Sequence, residues 1–343
     1  MNEREPVAAR YRRASSRPTT SAMASTPEAC LQLYFTALHD CDGDAFDAMF
    51  HACGKLLGLD PDGSVVSRDH GAFRAGALTR GASPELRRHD RVLCTRALGD
   101  SLCTAKVQIA LPAAPTSPTP TTQPVLYTDF VAMLRDGATW KIVAKVYASG
   151  ALADGGFAGA VAPDAAAAVA EAAWGRYVGS NRRADGAGMA RVFHPEARLT
   201  FATDDGVRCI PSDDFVDMVQ HRWASPDHKP FSHLRKDPRA SARDSLRAVD
   251  FAGPDVAMVE LDVGMPPKLF SDVLFLLRAR RPPPGRPGGA PGWWIVAKSS
   301  IYAPFLEHLE AEDARPPEAS SSSLRARAAK LLARADRPPP PPP

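Results

Sequence analysis

The chain says one thing twice. Residues 127–135 read Tyr-Thr-Asp-Phe-Val-Ala-Met-Leu-Arg, and residues 270–278 read Phe-Ser-Asp-Val-Leu-Phe-Leu-Leu-Arg. A tryptophan-led run follows each, Trp140-Lys-Ile-Val-Ala-Lys145 in the first half and Trp293-Trp-Ile-Val-Ala-Lys298 in the second. Upstream, Tyr34, Asp42-Gly43 and Phe50-His51 recur as Tyr177, Asp185-Gly186 and Phe193-His194. The pairs Tyr34/Tyr177, Phe50/Phe193 and Tyr127/Phe270 are all 143 positions apart. An offset held from one end of the unit to the other marks a duplicated domain, and a repeat decides the architecture before any local reading. The 343 residues then divide into two units, each long enough at roughly 120 residues to close its own core.

Local periodicity gives both units the same order. In the first, Leu31, Tyr34, Phe35 and Leu38 fall on one helical stripe. Thr26 before Pro27 fits an N-cap, and Ser25 with Glu28 fits a capping box. Asp42-Gly43-Asp44 ends that helix; a short second one buries Phe46, Met49 and Phe50, and a third from Ser67 or Asp69 carries Phe73 and Leu78. The period then changes to two, which predicts strands near 55–59, 63–66, 90–97, 102–110, 125–135 and 139–148. The second unit predicts helices near 164–181, 186–193 and 212–223, the last capped by Ser212 with Phe215, Met218 and Val219 buried. Its strands are expected near 197–203, 206–210, 245–252, 255–263, 268–280 and 292–302. His51 and His194 are read as finishing the second helix of each unit rather than binding metal.

The resulting plan is an N-terminal extension over 1–24, a domain over 25–149, a Gly-rich linker over 150–163, a second domain over 164–305 and a tail over 306–343. Arg and Ser richness in 1–24 fits a transit peptide, against which Glu3 and Glu5 count, while Met23 offers an alternative start. Prolines gather in 111–124, 281–291 and the C-terminus, as in loops and tails. The net charge of +3 is too small for a nucleic-acid footprint. Nothing in the sequence approaches the roughly 20 apolar residues that span a bilayer, so no membrane partner is expected. The six cysteines form neither a CxxC pair nor a Cys/His cluster with zinc spacing. Reduced thiols in a cytoplasmic protein, with neither metal nor cofactor, are the expectation.

Tyr34-Phe-Thr-Ala-Leu-His-Asp-Cys-Asp-Gly-Asp, Phe193-His-Pro-Glu-Ala-Arg-Leu, Tyr127-Thr-Asp-Phe and Trp140-Lys-Ile-Val-Ala-Lys-Val-Tyr147 together resemble the nuclear transport factor 2-like superfamily. Within it they are most similar to the lumazine-binding-like group and the SnoaL-like polyketide cyclases. The resemblance covers about 28–149 and 169–303. It implies an α+β fold of two tandem cone-shaped domains, each with about three N-terminal helices packed on a curved antiparallel sheet. It does not settle activity, because the superfamily holds isomerases, dehydratases, cyclases and non-catalytic binders.

In such a cone the first helix plugs a pocket lined by one face of the sheet, and residues two apart in a strand share a face. Tyr127, Asp129, Val131 and Met133 then share one face, as do Phe270, Asp272, Leu274 and Leu276. An acid in the same apolar slot of both copies is unusual. Burial would raise its pKa and favour a protonated acid able to donate to a ligand carbonyl, whereas a pairing of Asp129 with Lys145 and of Asp272 with Lys298 is the structural alternative. Tyr34 and Tyr177 match the first-helix tyrosine that ketosteroid isomerase uses beside such an acid, or are core aromatics with satisfied hydroxyls. The isomerase base slot aligns near Gly58 and Phe201, neither an acid, with Asp60, Asp204 and Asp205 nearby. Cys53 beside His51 invites a thiol–imidazole pair, but the second copy has Glu196 there.

The expected ligand contacts are Tyr34, Asp129, Lys145, Tyr147, Tyr177, Asp272 and Lys298, serving a small hydrophobic or aromatic, carbonyl-bearing ligand. A metal-free SnoaL-like acid–base enzyme and an interaction scaffold are the alternatives. Both faces of residues 125–135 and of 268–280 are apolar, so the outer face needs a cover. The two copies are expected to provide it for one another as an intrachain pseudo-dimer.

Overall fold

The computed structural model describes residues 24–113, 123–152, 161–226, 228–236, 241, 243–285 and 291–305. The N-terminal extension, the centre of the linker, most of the first proline-rich segment, part of the second and the tail lie outside the described residues.

Copy one runs α1 (Pro27–His39), α2 (Gly43–Met49), β1 (Phe50–Leu59), β2 (Val65–Asp69), α3 (His70–Leu78), β3 (Arg91–Leu98), β4 (Leu102–Leu111), β5 (Val125–Asp136) and β6 (Thr139–Ala151). Thr26 is the cap of α1, its hydroxyl accepting from the Ala29 amide at 3.1 Å. Asp42 and Asp69 cap α2 and α3 in the same way, each satisfying amides that a first turn leaves without partners. Copy two repeats the order. Its first helix is α4 (Ala165–Ala170), a π-helical stretch (Glu171–Val178) and α5 (Gly179–Arg183) in succession, followed by α6 (Gly186–Ala190), β7 (Phe193–Thr203), β8 (Gly206–Pro211), α7 (Ser212–Gln220), β9 (Ser245–Gly253), β10 (Val256–Met265), β11 (Lys268–Ala279) and β12 (Gly292–Pro304). The two six-stranded sheets have matching orders, β2-β1-β6-β5-β4-β3 and β8-β7-β12-β11-β10-β9.

Several expectations need refinement. The pairs β1–β6 and β7–β12 run parallel inside otherwise antiparallel sheets, while the third helix of each copy follows two strands, in the order of the expected segments. His51 and His194 do not finish a helix; each is the second residue of its copy's first strand. Ser212 is not a cap. The strand ends at Pro211, which occupies the cap position, so Ser212 is already helical and its hydroxyl donates to the Pro195 carbonyl at 3.1 Å. Met218 is 45% exposed rather than buried, because α7 turns it toward the mouth of a cavity.

Strand alternation sorts each sheet into two faces. The concave face of copy one packs Val131 and Met133 with Tyr34, Phe46 and Phe50 from the helices and first strand. Copy two repeats this with Leu274, Leu276, Tyr177, Phe193 and Phe215. The other faces meet. Phe130, Ala132 and Leu134 of β5 share one buried cluster with Val273, Phe275 and Leu277 of β11. The Phe130 and Phe275 rings stack with centroids 6.3 Å apart and planes 11° from parallel.

Truncating either ring leaves a cavity where the sheets touch. Phe275→Ala should lower unfolding free energy by about 3–5 kcal/mol, measured by urea denaturation. Since Phe130 and Phe275 share that contact, the loss in the double alanine variant should fall short of the sum of the single losses.

Candidate functional site

Each cone holds the same buried triad. In copy one, Tyr34 donates its hydroxyl to Asp129 Oδ2 at 2.5 Å, and Lys145 Nζ donates to Oδ1 at 2.6 Å. In copy two, Tyr177 donates to Asp272 Oδ2 at 2.6 Å and Lys298 Nζ lies 2.7 Å from Oδ1. Strand register explains the placement. Lys145 opposes Val131 and Lys298 opposes Leu274, one step along the same face from the aspartate, a diagonal that a long side chain spans. Tyr34 comes down from the helix stripe above. All six groups are buried, none more than 4% exposed.

Asp129 is engaged by Tyr34 and Lys145, and Asp272 by Tyr177, Lys298 and Ser300, the lysine-paired alternative to an acid that donates to a ligand carbonyl. Burial pushes the Tyr34 and Tyr177 phenols well above their ordinary range, and the neighbouring carboxylate adds to the effect. Burial lowers the Lys145 and Lys298 ammonium groups, and the same carboxylate opposes it. Charge-assisted hydrogen bonds of this kind offset the desolvation of a buried ion pair.

Around this shared triad the copies differ. Tyr147 of copy one corresponds to Ser300 of copy two, since each lies two residues past the triad lysine. Gly58 corresponds to Phe201 at the 143-residue offset. The aromatic ring has therefore moved from β6 in copy one to β7 in copy two, across a pair of neighbouring strands in which Phe201 lies directly beside Ser300. A Cβ on Gly58 would lie 2.4 Å from the Tyr147 ring, so the glycine is required where tyrosine stands. The ammonium keeps its aromatic neighbour in both arrangements, with Lys145 Nζ 4.9 Å from the Tyr147 centroid and Lys298 Nζ 4.9 Å from that of Phe201. Ser300 adds a hydrogen bond to Asp272 Oδ1 at 2.7 Å.

The exchange changes what lies open. Copy one keeps a cavity of about 190 Å³ that reaches Lys145 and Tyr147, but Tyr34 and Asp129 do not line it. Tyr127 and Tyr147 meet edge to face over that space at 5.6 Å, and Arg80 donates to the Tyr127 hydroxyl at 3.2 Å. Copy two has Phe270 in place of Tyr127, and its cavity of about 370 Å³ is lined by all three triad residues, Tyr177, Asp272 and Lys298. Arg222 and Asn181 join them at the wall. The Arg222 guanidinium donates to the Asn181 side-chain oxygen, and burial lowers its pKa to about 10.

With this geometry established, known proteins can be compared. The family model described as "Putative lumazine-binding" matches twice, over residues 23–148 and 165–299. The chain belongs to this family. Among solved structures the chain is similar to a nuclear transport factor 2-like protein of unknown function from Silicibacter pomeroyi DSS-3, 20% identical, covering 36% of this chain and 92% of that one with a TM-score of 0.30. A second, from Shewanella baltica OS155, is 16% identical, covering 35% and 88% with a TM-score of 0.30. A search of the curated proteins returns no match.

In this lumazine-binding-like chain the sequence expectation brought together Tyr34, Asp129 and Lys145, and Tyr177, Asp272 and Lys298, while Tyr147 stands over copy one only. It missed Arg80, Arg222, Asn181 and Ser300. A signal was present, because Arg80 and Arg222 recur at an offset of 142 just past the third helix of each copy. No carboxylate stands at the isomerase base slot, which holds Gly58 and Phe201. Asp60 reaches the smaller cavity from an exposed turn, and Asp204 and Asp205 are exposed in the β7–β8 turn. The thiol–imidazole contact exists, with His51 Nδ1 3.0 Å from Cys53 Sγ, but a hydrogen bond with the Cys209 thiol, and then burial, raise the Cys53 pKa. That is the wrong direction for an activated nucleophile. Among the described residues no group of His, Cys, Asp and Glu could hold a metal ion, and no helix is long and apolar enough to cross a membrane.

A phenol whose folded pKa is raised contributes stability that is complete below its unfolded pKa, near 10, and is lost as pH rises beyond it. Tyr34 and Tyr177 should therefore remain un-ionised in the native protein above pH ~10, and ultraviolet titration should show them ionising only with alkaline unfolding. Removing one carboxylate leaves its ammonium buried without a counter-charge. Asp272→Asn should destabilise by about 3–5 kcal/mol in chemical denaturation, and Tyr177→Phe by less, about 1–3 kcal/mol.

Proposed function

We propose that the chain is a small-molecule binding protein whose working pocket is the cavity of copy two, and that its ligand is an organic anion with an aromatic or apolar body. The observation that carries this is the lining itself. Four cationic side chains, Arg208, Arg222, Lys268 and Lys298, face the cavity with a single carboxylate, Asp272, among them. That carboxylate is already taken up by the triad, so the excess is positive. Phe201, Phe215 and Phe270 supply apolar wall, and a mostly apolar cleft with a few converging polar groups is the usual form of a ligand site. An anion seated against Arg222 would return to that guanidinium the solvation that burial removed. Copy one, with its smaller cavity and tyrosines folded over the triad, serves as a structural partner.

An acid–base reading would have to draw its base from His221 or His228 on the same cavity wall, since the isomerase base slot holds Phe201 rather than a carboxylate. We also infer that the shared apolar cluster between the sheets takes the place of a homodimer interface, so one chain is the complete unit. Sedimentation equilibrium should return the chain mass of 36.7 kDa; a stable dimer would overturn this part of the reading.

The ligand proposal is tested with a panel of aromatic carboxylates, each paired with its neutral amide, by thermal shift and calorimetry. The carboxylates should stabilise the protein, by about 2.7 kcal/mol at a hundred times the dissociation constant, and the amides should not. Arg222→Gln should weaken binding about tenfold or more, a loss of at least ~1.4 kcal/mol, while Arg80→Gln leaves it unchanged. Equal stabilisation by acids and amides, or binding indifferent to Arg222, would show the proposal to be wrong.

A further inference from the structure

The polar contacts between the two sheets follow a rule. Lys106 on β4 lies 3.0 Å from Asp250 on β9, and Arg96 on β3 lies 3.4 Å from Glu260 on β10 and 3.8 Å from Asp250. Thr104 also donates to Glu260, at 3.1 Å, and Lys106 Nζ donates to the Phe251 carbonyl at 2.7 Å.

The strand registers show which of these residues correspond. Lys106 pairs with Phe130, and Glu260 pairs with Val273, the residue 143 positions after Phe130. Arg96 pairs with Thr104, which pairs with Ala132. Asp250 pairs with Met258, which pairs with Phe275, the residue 143 positions after Ala132. Arg96 and Asp250 therefore occupy one structural position, and Lys106 and Glu260 another, both pairs separated by 154 residues.

The two shorter contacts are those of a two-fold interface, in which the first position of one unit meets the second position of the other, and the reverse, while the 3.8 Å contact of Arg96 with Asp250 sets the two first positions against each other. At both positions copy one carries a cation and copy two a carboxylate. The rim contact obeys the same geometry. Lys55 bonds Glu196 at 2.8 Å, and their counterparts at the 143-residue offset, Arg198 and Cys53, also face each other electrostatically. At the rim only one of the two contacts is an ion pair.

We propose that this sorting of charge is a specificity device: it makes the outer sheet face of copy one fit the face of copy two and reject a second copy of itself. Two copy-one faces brought together would set Arg96 against Lys106 twice. Two copy-two faces would set Asp250 against Glu260 twice, with the Glu260 side chain only 7% and Asp250 only 14% exposed. Like charges with so little water between them are an effective barrier to the wrong partner. The apolar centre is asymmetric too, since Phe130 corresponds to Val273 and Phe275 to Ala132, so a like pair of faces would lose the ring stack. Charge at four positions adds repulsion, which an apolar centre cannot supply. The device rests on the intrachain pairing inferred above, but is tested separately.

Two variants of the full chain make the test. Arg96→Glu with Asp250→Lys sets like charges at both shorter contacts within the chain, leaves only the longer 96–250 pair opposite in sign, and at the same time makes each copy complementary to its own kind. Adding Lys106→Glu and Glu260→Lys restores opposite charges within the chain, every sign inverted. The two-site variant should melt well below wild type and associate as concentration rises, its average mass reaching roughly twice that of the chain or more. The four-site variant should recover most of the lost melting temperature and return to the wild-type mass. If the two-site variant keeps the wild-type mass and melting temperature, the charges do not choose the partner. If the four-site variant is as damaged as the two-site one, the residues act through local shape, and the inference falls equally. A wild-type dimer would instead overturn the one-chain reading, and recovery in the four-site variant would still support the charge rule.

Discussion

A lysine ammonium sealed beneath a helix needs a counter-charge, and much of this molecule is arranged around supplying one. The aspartate must come from the same strand face as the surrounding apolar side chains, so strand register is fixed to within a residue, because a slip of one would send it to the opposite face. The first helix must lie close enough for its tyrosine to satisfy the second carboxylate oxygen. The neighbouring parallel strand pair must provide an aromatic face for the cation. Each of these demands is met in both copies, and the shared solution is what makes the two halves recognisable as one domain.

Duplication then released the copies to diverge outside that centre. In copy one two tyrosines and Arg80 close over the triad. In copy two a phenylalanine and a serine stand in the corresponding places, leaving Tyr177, Asp272 and Lys298 on a cavity wall with Arg222 beside them. On their outer faces the halves diverged in the complementary sense, toward opposite charge at matched positions. Both divergences make one copy different from the other in a way that a symmetric homodimer, with two identical chains, could not achieve.

How much of this the sequence disclosed follows from the range of each interaction. The triad was legible because alternation in β5 and helical spacing in α1 are local signals, and the repeat doubled them. The two faces of β5 and β11 were legible for the same reason. The ring exchange between Tyr147 and Phe201 was not, because it depends on which strands lie side by side in parallel, and β1 and β6 are far apart in the chain. Arg222 was overlooked although Arg80 repeats it, since it fell in the last turn of the helix expected over 212–223, whereas that helix ends at Gln220. Ser212 looked like a cap because serine before an apolar helix usually is one; a strand that runs directly into the helix left no turn for it to cap. The opposed charges at Arg96, Lys106, Asp250 and Glu260 became interpretable only when register gave the correspondence.

The ring exchange carries an evolutionary consequence. With Tyr147 in place, Gly58 cannot acquire a side chain without a collision. With Phe201 in place, its neighbour Ser300 is small, and an isolated loss of the ring would expose a buried cation to an empty space. Neither member of the pair can be altered first at no cost, so any lineage leading from one arrangement to the other crossed a less fit intermediate or changed both together. Residues coupled sterically in this way will be poor guides to ancestry one at a time. As a pair they should record which half of a duplicated chain a given domain descends from.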